Sequence, residues 1–258
     1  MQANLTIAAI SDRGVVRAHN EDAFAILEPT DDGTDNANSK GSLLIVADGL
    51  GGHNAGEVAS QIAITTFMDS FQNTIDLPEE TYLAETIQEA HRNILAESRQ
   101  NALRQGMGTT VALVAIQGSR AIAAHVGDSR VYLLRNGVLS RLTLDHSWVE
   151  QQILAGMLPI EAANEHPLRH VITQALGAME TVNPATYSWQ LRAGDIILLS
   201  TDGLHGLVDG RTLHEILTTH PPDDAIRLLV ESAKEQGGPD NITAIIARVD
   251  SLNQPASQ

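Results

Sequence analysis

Short apolar runs of β type punctuate this chain, and they come in blocks rather than singly between helices. SLLIVADG (42–49) is fully apolar until it stops at a turn. TTVALVAI (109–116), AIAAHVG (121–127), RVYLLR (130–135) and VLSRLTL (138–144) then follow one another closely. Turn signals separate them: Gln117-Gly118-Ser119, and Asn136-Gly137, a pair that favours the primed hairpin turn. Four such strands in succession predict an antiparallel meander rather than a parallel βαβ sheet. DIILLSTDG (195–203) and NITAIIARV (241–249) are further strands of the same kind.

Helical periodicity appears elsewhere. Val58, Ile62, Phe67 and Phe71 share a roughly helical spacing, and Leu83, Ile87, Ala90 and Ile94 repeat at intervals of four, three and four. Ile226, Leu229, Val230 and Ala233 form a third apolar face. Helices grouped around antiparallel strands indicate an α+β layered domain. The 258 residues show no repeat and no linker, so one domain over 1–250 is expected, with a tail at 251–258. Thr30–Gly41 reads as a polar loop.

Composition narrows the function. The absence of cysteine removes disulfides, thiolate metal sites and cysteine nucleophiles. A net charge of −16 with no Lys/Arg cluster argues against nucleic acid and against anionic membrane surfaces. The N-terminus lacks a basic region and a long apolar region, and runs such as Ser42–Ala47 are too short to span a bilayer. A cytoplasmic protein with no membrane insertion is expected.

The chemistry is signalled by where the aspartates fall. Asp48 follows LLIVA, Asp128 follows AAHVG, Asp202 follows IILLST, Asp240 precedes NITAIIA and Asp22 precedes AFAIL. One such residue is usually a solvated turn-former. Five, three of them beside glycine, suggest a common purpose. Carboxylates gathered at one edge of a sheet repel one another and must take up protons or share cations. Hard divalent ions such as Mg and Mn prefer oxygen donors of this kind. A pair of ions about 3.5–4 Å apart lowers the pKa of a bridging water and readies it for in-line attack on a phosphoester. The absence of a G-x-S-x-G elbow and of Walker and G-x-G-x-x-G loops fits that reading.

Eight motifs in order, over roughly Ile10 to Val249, resemble the bacterial single-domain form of the metal-dependent Ser/Thr protein phosphatases, the PPM or type 2C family. They are SDRGVVRAHNEDAF (11–24), VADGLGGHNAGEVAS (46–60), GTT (108–110), AHVGDSRVYLLRNG (124–137), LTLDHSWVEQQILAG (142–156), HPLRHVITQALG (166–177), LLSTDGLHGLV (198–208) and GPDNITAIIARV (238–249). The resemblance implies a four-layer α/β/β/α sandwich, a central antiparallel β-sandwich flanked by helix pairs, with a flap and following segment at 146–177. It implies two to three Mn or Mg ions. Asp48 would bridge two of them, with the carbonyl of Gly49 on one and Asp202 and Asp240 on the other. Asp128 matches a third metal site shared with Asp202. Glu21 and Asp22 match an acidic pair, one a ligand and one behind it, in either order. Arg17 matches an arginine that binds the substrate phosphate, with Arg13 a second candidate. Animal relatives carry a proposed acidic histidine where this chain has Leu50, so leaving-group protonation falls to His53 or to a metal-bound water.

The expected substrates are phosphoserine and phosphothreonine proteins, with a cognate Ser/Thr kinase as the opposing enzyme and a monomer as the working form. A catalytically silent phosphoprotein-binding module and a small-phosphoester hydrolase are the alternatives. His125 reads as core, and Ser129 and Arg130 as shaping the turn around Asp128. Thr109 and Thr110 are expected to serve the backbone. His146, His166, His170 and His205 lack zinc-ligand spacing. Asp145 is expected to cap a helix through Ser147–Ala155.

Overall fold

The computed structural model describes residues 2–29, 41–51, 55–73, 80–163 and 166–253. The chain runs β1 (Gln2–Asp12), β2 (Ala23–Leu27), β3 (Ser42–Ala47), β4 (Gly49–Leu50), α1 (Ala55–Asn73) and α2 (Glu80–Gln100). Then come β5 (Gly108–Thr109), β6 (Val111–Gln117), β7 (Arg120–Val126), β8 (Arg130–Arg135), β9 (Val138–Arg141) and α3 (Trp148–Leu154). β10 (Ala185–Gln190), β11 (Ile196–Ser200), α4 (Asp202–His205), α5 (Gly210–Thr219), α6 (Pro222–Glu235) and β12 (Ile242–Asn253) complete it.

Two five-stranded antiparallel sheets result, in the orders β1-β12-β11-β8-β9 and β10-β7-β6-β3-β2. β3, β6, β7 and β11 are apolar at nearly every position because both of their faces are covered. On β3, Leu44 and Val46 point between the sheets, while Leu43, Ile45 and Ala47 pack with Phe67 of α1 and Ile87 of α2. On β11, Ile197 and Leu199 face the other sheet, and Leu198 joins Leu213 of α5 and Leu229 of α6. Helix pairs thus cover both outer faces, and the expected four-layer α+β sandwich is present. α2 buries Leu83, Ile87, Ala90 and Ile94, and α6 buries Ile226, Leu229, Val230 and Ala233, the faces that periodicity picked out. Among the described residues no helix is long and apolar enough to cross a membrane.

Several expectations need correction. The four strands from β6 to β9 are not one meander. β6–β7 and β8–β9 are hairpins in different sheets, and the chain changes sheet at Gly127–Ser129. Gly127 makes that crossing with φ +105, and a Cβ there would lie 2.6 Å from Thr110 Cβ. The tail begins later than residue 251, since Ser251, Leu252 and Asn253 pair with Asn4, Ala3 and Gln2. β1 is a full strand along β12 that its half-polar sequence did not announce. Asp145 is not a helix cap. Ser147 accepts from the Glu150 amide to cap α3, and Asp145 takes a two-pronged contact from Arg130 at 2.9 and 2.6 Å instead. The Asn136-Gly137 turn is as expected, with φ +51 and +74. Of the polar loop, residues 30–40 lie outside the described residues, as does His53.

Candidate functional site

The sandwich presents one end at which β3, β7 and β11 finish and β2 and β12 begin, and the acidic residues singled out above stand at those junctions. Arg17, Glu21, Asp48, Asp128, Asp202 and Asp240 line a single cleft of about 100 Å³, together with Gly49. Asp22 lies behind it, buried, with its Oδ2 accepting from the Thr201 hydroxyl at 2.9 Å. Sequence alone left Glu21 and Asp22 interchangeable. The fold places Glu21 on the cleft wall and Asp22 in the layer beneath.

Local geometry explains how each group is held. The Asp48 carbonyl accepts from the Thr110 amide and the Thr109 hydroxyl, both at 2.9 Å, and its amide donates to the Thr110 hydroxyl at 3.2 Å. Both threonines therefore serve the backbone, as expected. Thr110 in turn bonds Ser129 beside Asp128 at 2.7 Å. Gly49 is crowded: a Cβ would sit 2.3 Å from the Gly56 carbonyl oxygen and 2.4 Å from that of Glu21. Gly203 next to Asp202 is equally confined, with the Asn241 carbonyl oxygen 1.9 Å from where a Cβ would be.

Asn241 was not singled out in the sequence, and it organises the β1–β2 loop. Its side-chain amide donates to the carbonyls of Arg13 and His19 at 2.9 Å, and its Oδ1 accepts from the Glu21 amide at 2.8 Å. No local pattern reveals this, because the partners lie more than 200 positions away. His170 was also passed over for want of paired spacing, yet it stands on the cleft with Ile172. Arg13 does not line the cleft; its Nη1 donates to the Ala18 carbonyl at 3.3 Å.

The electrostatics are extreme for a site with one guanidinium. Burial, reinforced by neighbouring carboxylates, pushes Asp22 and Asp128 up to about 7. Burial raises Asp48 well above the ordinary range, with Asp22 and Asp202 adding to it, and raises Asp202 with Asp240 adding. Arg17 donates to Asp240 Oδ2 at 2.7 Å, and that bond holds its charge. An all-oxygen donor set carrying this much unneutralised charge suits hard divalent cations rather than soft ones. Among the described residues no three acidic or imidazole groups close on one point as a ready-made cage; the carboxylates line walls. The cleft is far below the 300–1,000 Å³ typical of organic-ligand pockets, a size suited to a phosphoryl group and its ions. A larger groove of about 780 Å³ along α1 and α2 contains none of these groups.

Comparisons with known proteins agree with this geometry. The protein phosphatase 2C family profile matches residues 18–239. The chain is 36% identical over 245 residues to the serine/threonine phosphatase stp of Listeria monocytogenes, covering 93% of this chain and 94% of that one. It is similar to the crystal structure of the serine/threonine phosphatase PstP of Mycobacterium tuberculosis, with TM-score 0.84, 36% identity, and 96% and 99% of the two chains covered. A PstP catalytic domain solved with two manganese ions gives TM-score 0.82 at 35% identity, covering 96% and 99%.

Proposed function

The chain belongs to the protein phosphatase 2C family of Ser/Thr protein phosphatases, and from that premise we propose that it hydrolyses phosphoserine and phosphothreonine in proteins by direct attack of water, without a covalent enzyme intermediate. The observation that carries the reading is the set of half-buried carboxylates around one small cleft with Arg17 at its rim. Asp48, Asp202, Asp240 and the Gly49 carbonyl would hold two divalent cations, Mn or Mg. Asp128 would contribute to a third and Glu21 would complete the first set, directly or through water. Cations so bound supply Lewis acidity and an activated water for in-line displacement.

The chain's own residues do the rest. Asp22, bonded to Thr201, lies beneath the cleft and adds negative charge without competing for ligand space. Asp240 uses one of the five N–H donors of Arg17. The remainder suit the oxygens of a phosphate, for which a guanidinium is geometrically matched. Asn241 fixes the loop that carries Arg17 and Glu21, so both are oriented before substrate arrives. Protonation of the leaving alkoxide would fall to His53 or to a metal-bound water. We place a cognate Ser/Thr kinase opposite it, in the cytoplasm; relatives named serine/threonine phosphatases support the choice of phosphoserine and phosphothreonine.

The test is Mn-dependent release of phosphate from a phosphothreonine peptide by wild type and Asp48→Ala. Wild type should turn over, and the variant should be inactive yet folded. A wild type that binds Mn and releases no phosphate would overturn the proposal. A strong preference for small metabolite phosphates over peptides would overturn the protein-substrate half.

A further inference from the structure

Two consecutive residues at the root of the 146–177 segment grip both sides of the turn that carries Asp128. Asp145 holds Arg130, on the far side of the turn, through Nε at 2.9 Å and Nη2 at 2.6 Å. His146 holds Gly127, on the near side, twice. Its amide donates to the Gly127 carbonyl at 2.9 Å, and its ring Nδ1 accepts from the Gly127 amide at 3.2 Å. The carbonyl of the same residue accepts from the Thr173 amide at 2.7 Å. Ser147 bridges to Ile172, and the Trp148 amide donates to the Val171 carbonyl at 2.8 Å. His146 is thus the shared rung between the Asp128 turn and the stretch that brings His170 and Ile172 to the cleft.

We infer that His146 is a positioning residue, whose Nδ1 acceptor locks the Asp128 turn and the 170–173 stretch into one unit. The inference rests on the reading of Asp128 as part of the cation-holding cleft. For Nδ1 to accept, the ring must be neutral with its proton on Nε2, and the surroundings favour that form. The ring stacks on His125 at 4.7 Å, and burial together with that neighbour pushes His146 down to about 4. Asp145 opposes the shift but is engaged by Arg130. His125 is fully buried, bonds the Leu144 carbonyl through Nε2 at 2.8 Å, and among the described residues has no hydrogen-bond partner for Nδ1. That second imidazole, with Tyr187 at 5.9 Å, serves as a flat seat for the first. Gly127 has no freedom to compensate, since its φ of +105 and its approach to Thr110 fix the turn.

The test separates acceptor from ring. His146→Phe keeps the stack and loses the acceptor; His146→Asn loses the stack and keeps an oxygen close to the Nδ1 position. Amide hydrogen exchange by NMR on the metal-stripped full chain reads the Gly127 and Thr173 amides, with Leu113 and Ala124 in the core strands as controls. We expect His146→Phe to accelerate exchange at Gly127 and Thr173 by at least about tenfold with the controls unchanged, and His146→Asn to restore it to within about threefold. Calorimetric titration with Mn should show weakened binding in the Phe variant and recovery in the Asn variant. Unchanged Gly127 protection in His146→Phe, or equal loss of protection in both variants, would overturn the inference. If His146→Phe fails to fold, Gly127 protection in His146→Asn decides the matter alone. Because exchange needs no substrate, a chain inactive on phosphopeptides would sink the proposed function and leave this test standing.

Discussion

Two ends of one strand treat a buried acid in opposite ways. At the start of β11, Asp195 is buried against Arg135, which reaches both carboxylate oxygens at 2.8 and 2.6 Å, and the Arg192 amide donates to it at 2.8 Å. Past the end of β11, Asp202 faces Asp48, Asp128 and Asp240 across a cleft. Among the described residues Asp22, Asp48, Asp128 and Asp202 have no ion pair with lysine or arginine. A buried carboxylate that has its own arginine is structural. Several gathered without one raise the energy of the folded chain, and evolution tolerates that where a ligand of opposite charge completes the site. Position along the strand does not separate the two kinds; the partner does.

Substitutions can break or sharpen that contrast. The largest effect is expected from Asp48→Ala, which should lower kcat/KM on a phosphothreonine peptide by a factor on the order of 10³, about 4 kcal/mol of transition-state stabilisation. Its metal-free melting temperature should stay level or rise, because a carboxyl that its surroundings hold well above its ordinary pKa is gone. Asp195→Ala should do the reverse. Leaving Arg135 without its acid costs about 3 kcal/mol in denaturant unfolding, discounted for the partial exposure of Arg135. Its kcat/KM should stay within about twofold of wild type, since Asp195 touches nothing in the cleft. A stable Asp195→Ala, or an Asp48→Ala that melts much earlier, would dissolve the distinction.

Added Mn should stabilise wild type by about 2.7 kcal/mol at a hundredfold excess over its dissociation constant, and Asp48→Ala much less. The sign with pH follows from the raised carboxyl groups. Their protonated forms favour the metal-free fold below about 4, and that stability is lost as pH rises through about 7 for Asp22 and Asp128. The Mn-induced rise in melting temperature should therefore grow from pH 5 to pH 8. An increment that shrinks over that range would contradict the assignment. The smallest effect concerns the exception, Arg17, whose pair with Asp240 is exposed on both sides. Arg17→Lys should leave melting unchanged, because such pairs contribute little. It should raise KM about tenfold, as two-pronged phosphate contact is lost.

Much of the site was legible in the chain because its carboxylates follow strands buried on both faces. Such strands read as continuous apolar runs, and the stops after LLIVA and IILLST mark Asp48 and Asp202 plainly. The crossing at Gly127–Ser129 was not legible. A short glycine-bearing link looks the same whether the next strand stays in its sheet or joins the other, and only long-range packing decides. Asp145 misled because Asp and Ser both cap helices, and the arginine that claimed Asp145 lies 15 residues earlier. Asn241 could not be found locally, since its work is to join β12 to a loop at the opposite end of the chain.

Calorimetric titration of the metal-stripped chain with Mn near pH 6.5, beside Asp48→Ala, reaches the central point most directly. Unpaired carboxylates that await cations should take up at least two ions per chain in wild type, release protons as they do so, and lose that uptake in the variant. A wild type that binds no Mn, or a variant that binds as many ions with the same proton release, would show that the acids at this end of the sandwich are there for another reason.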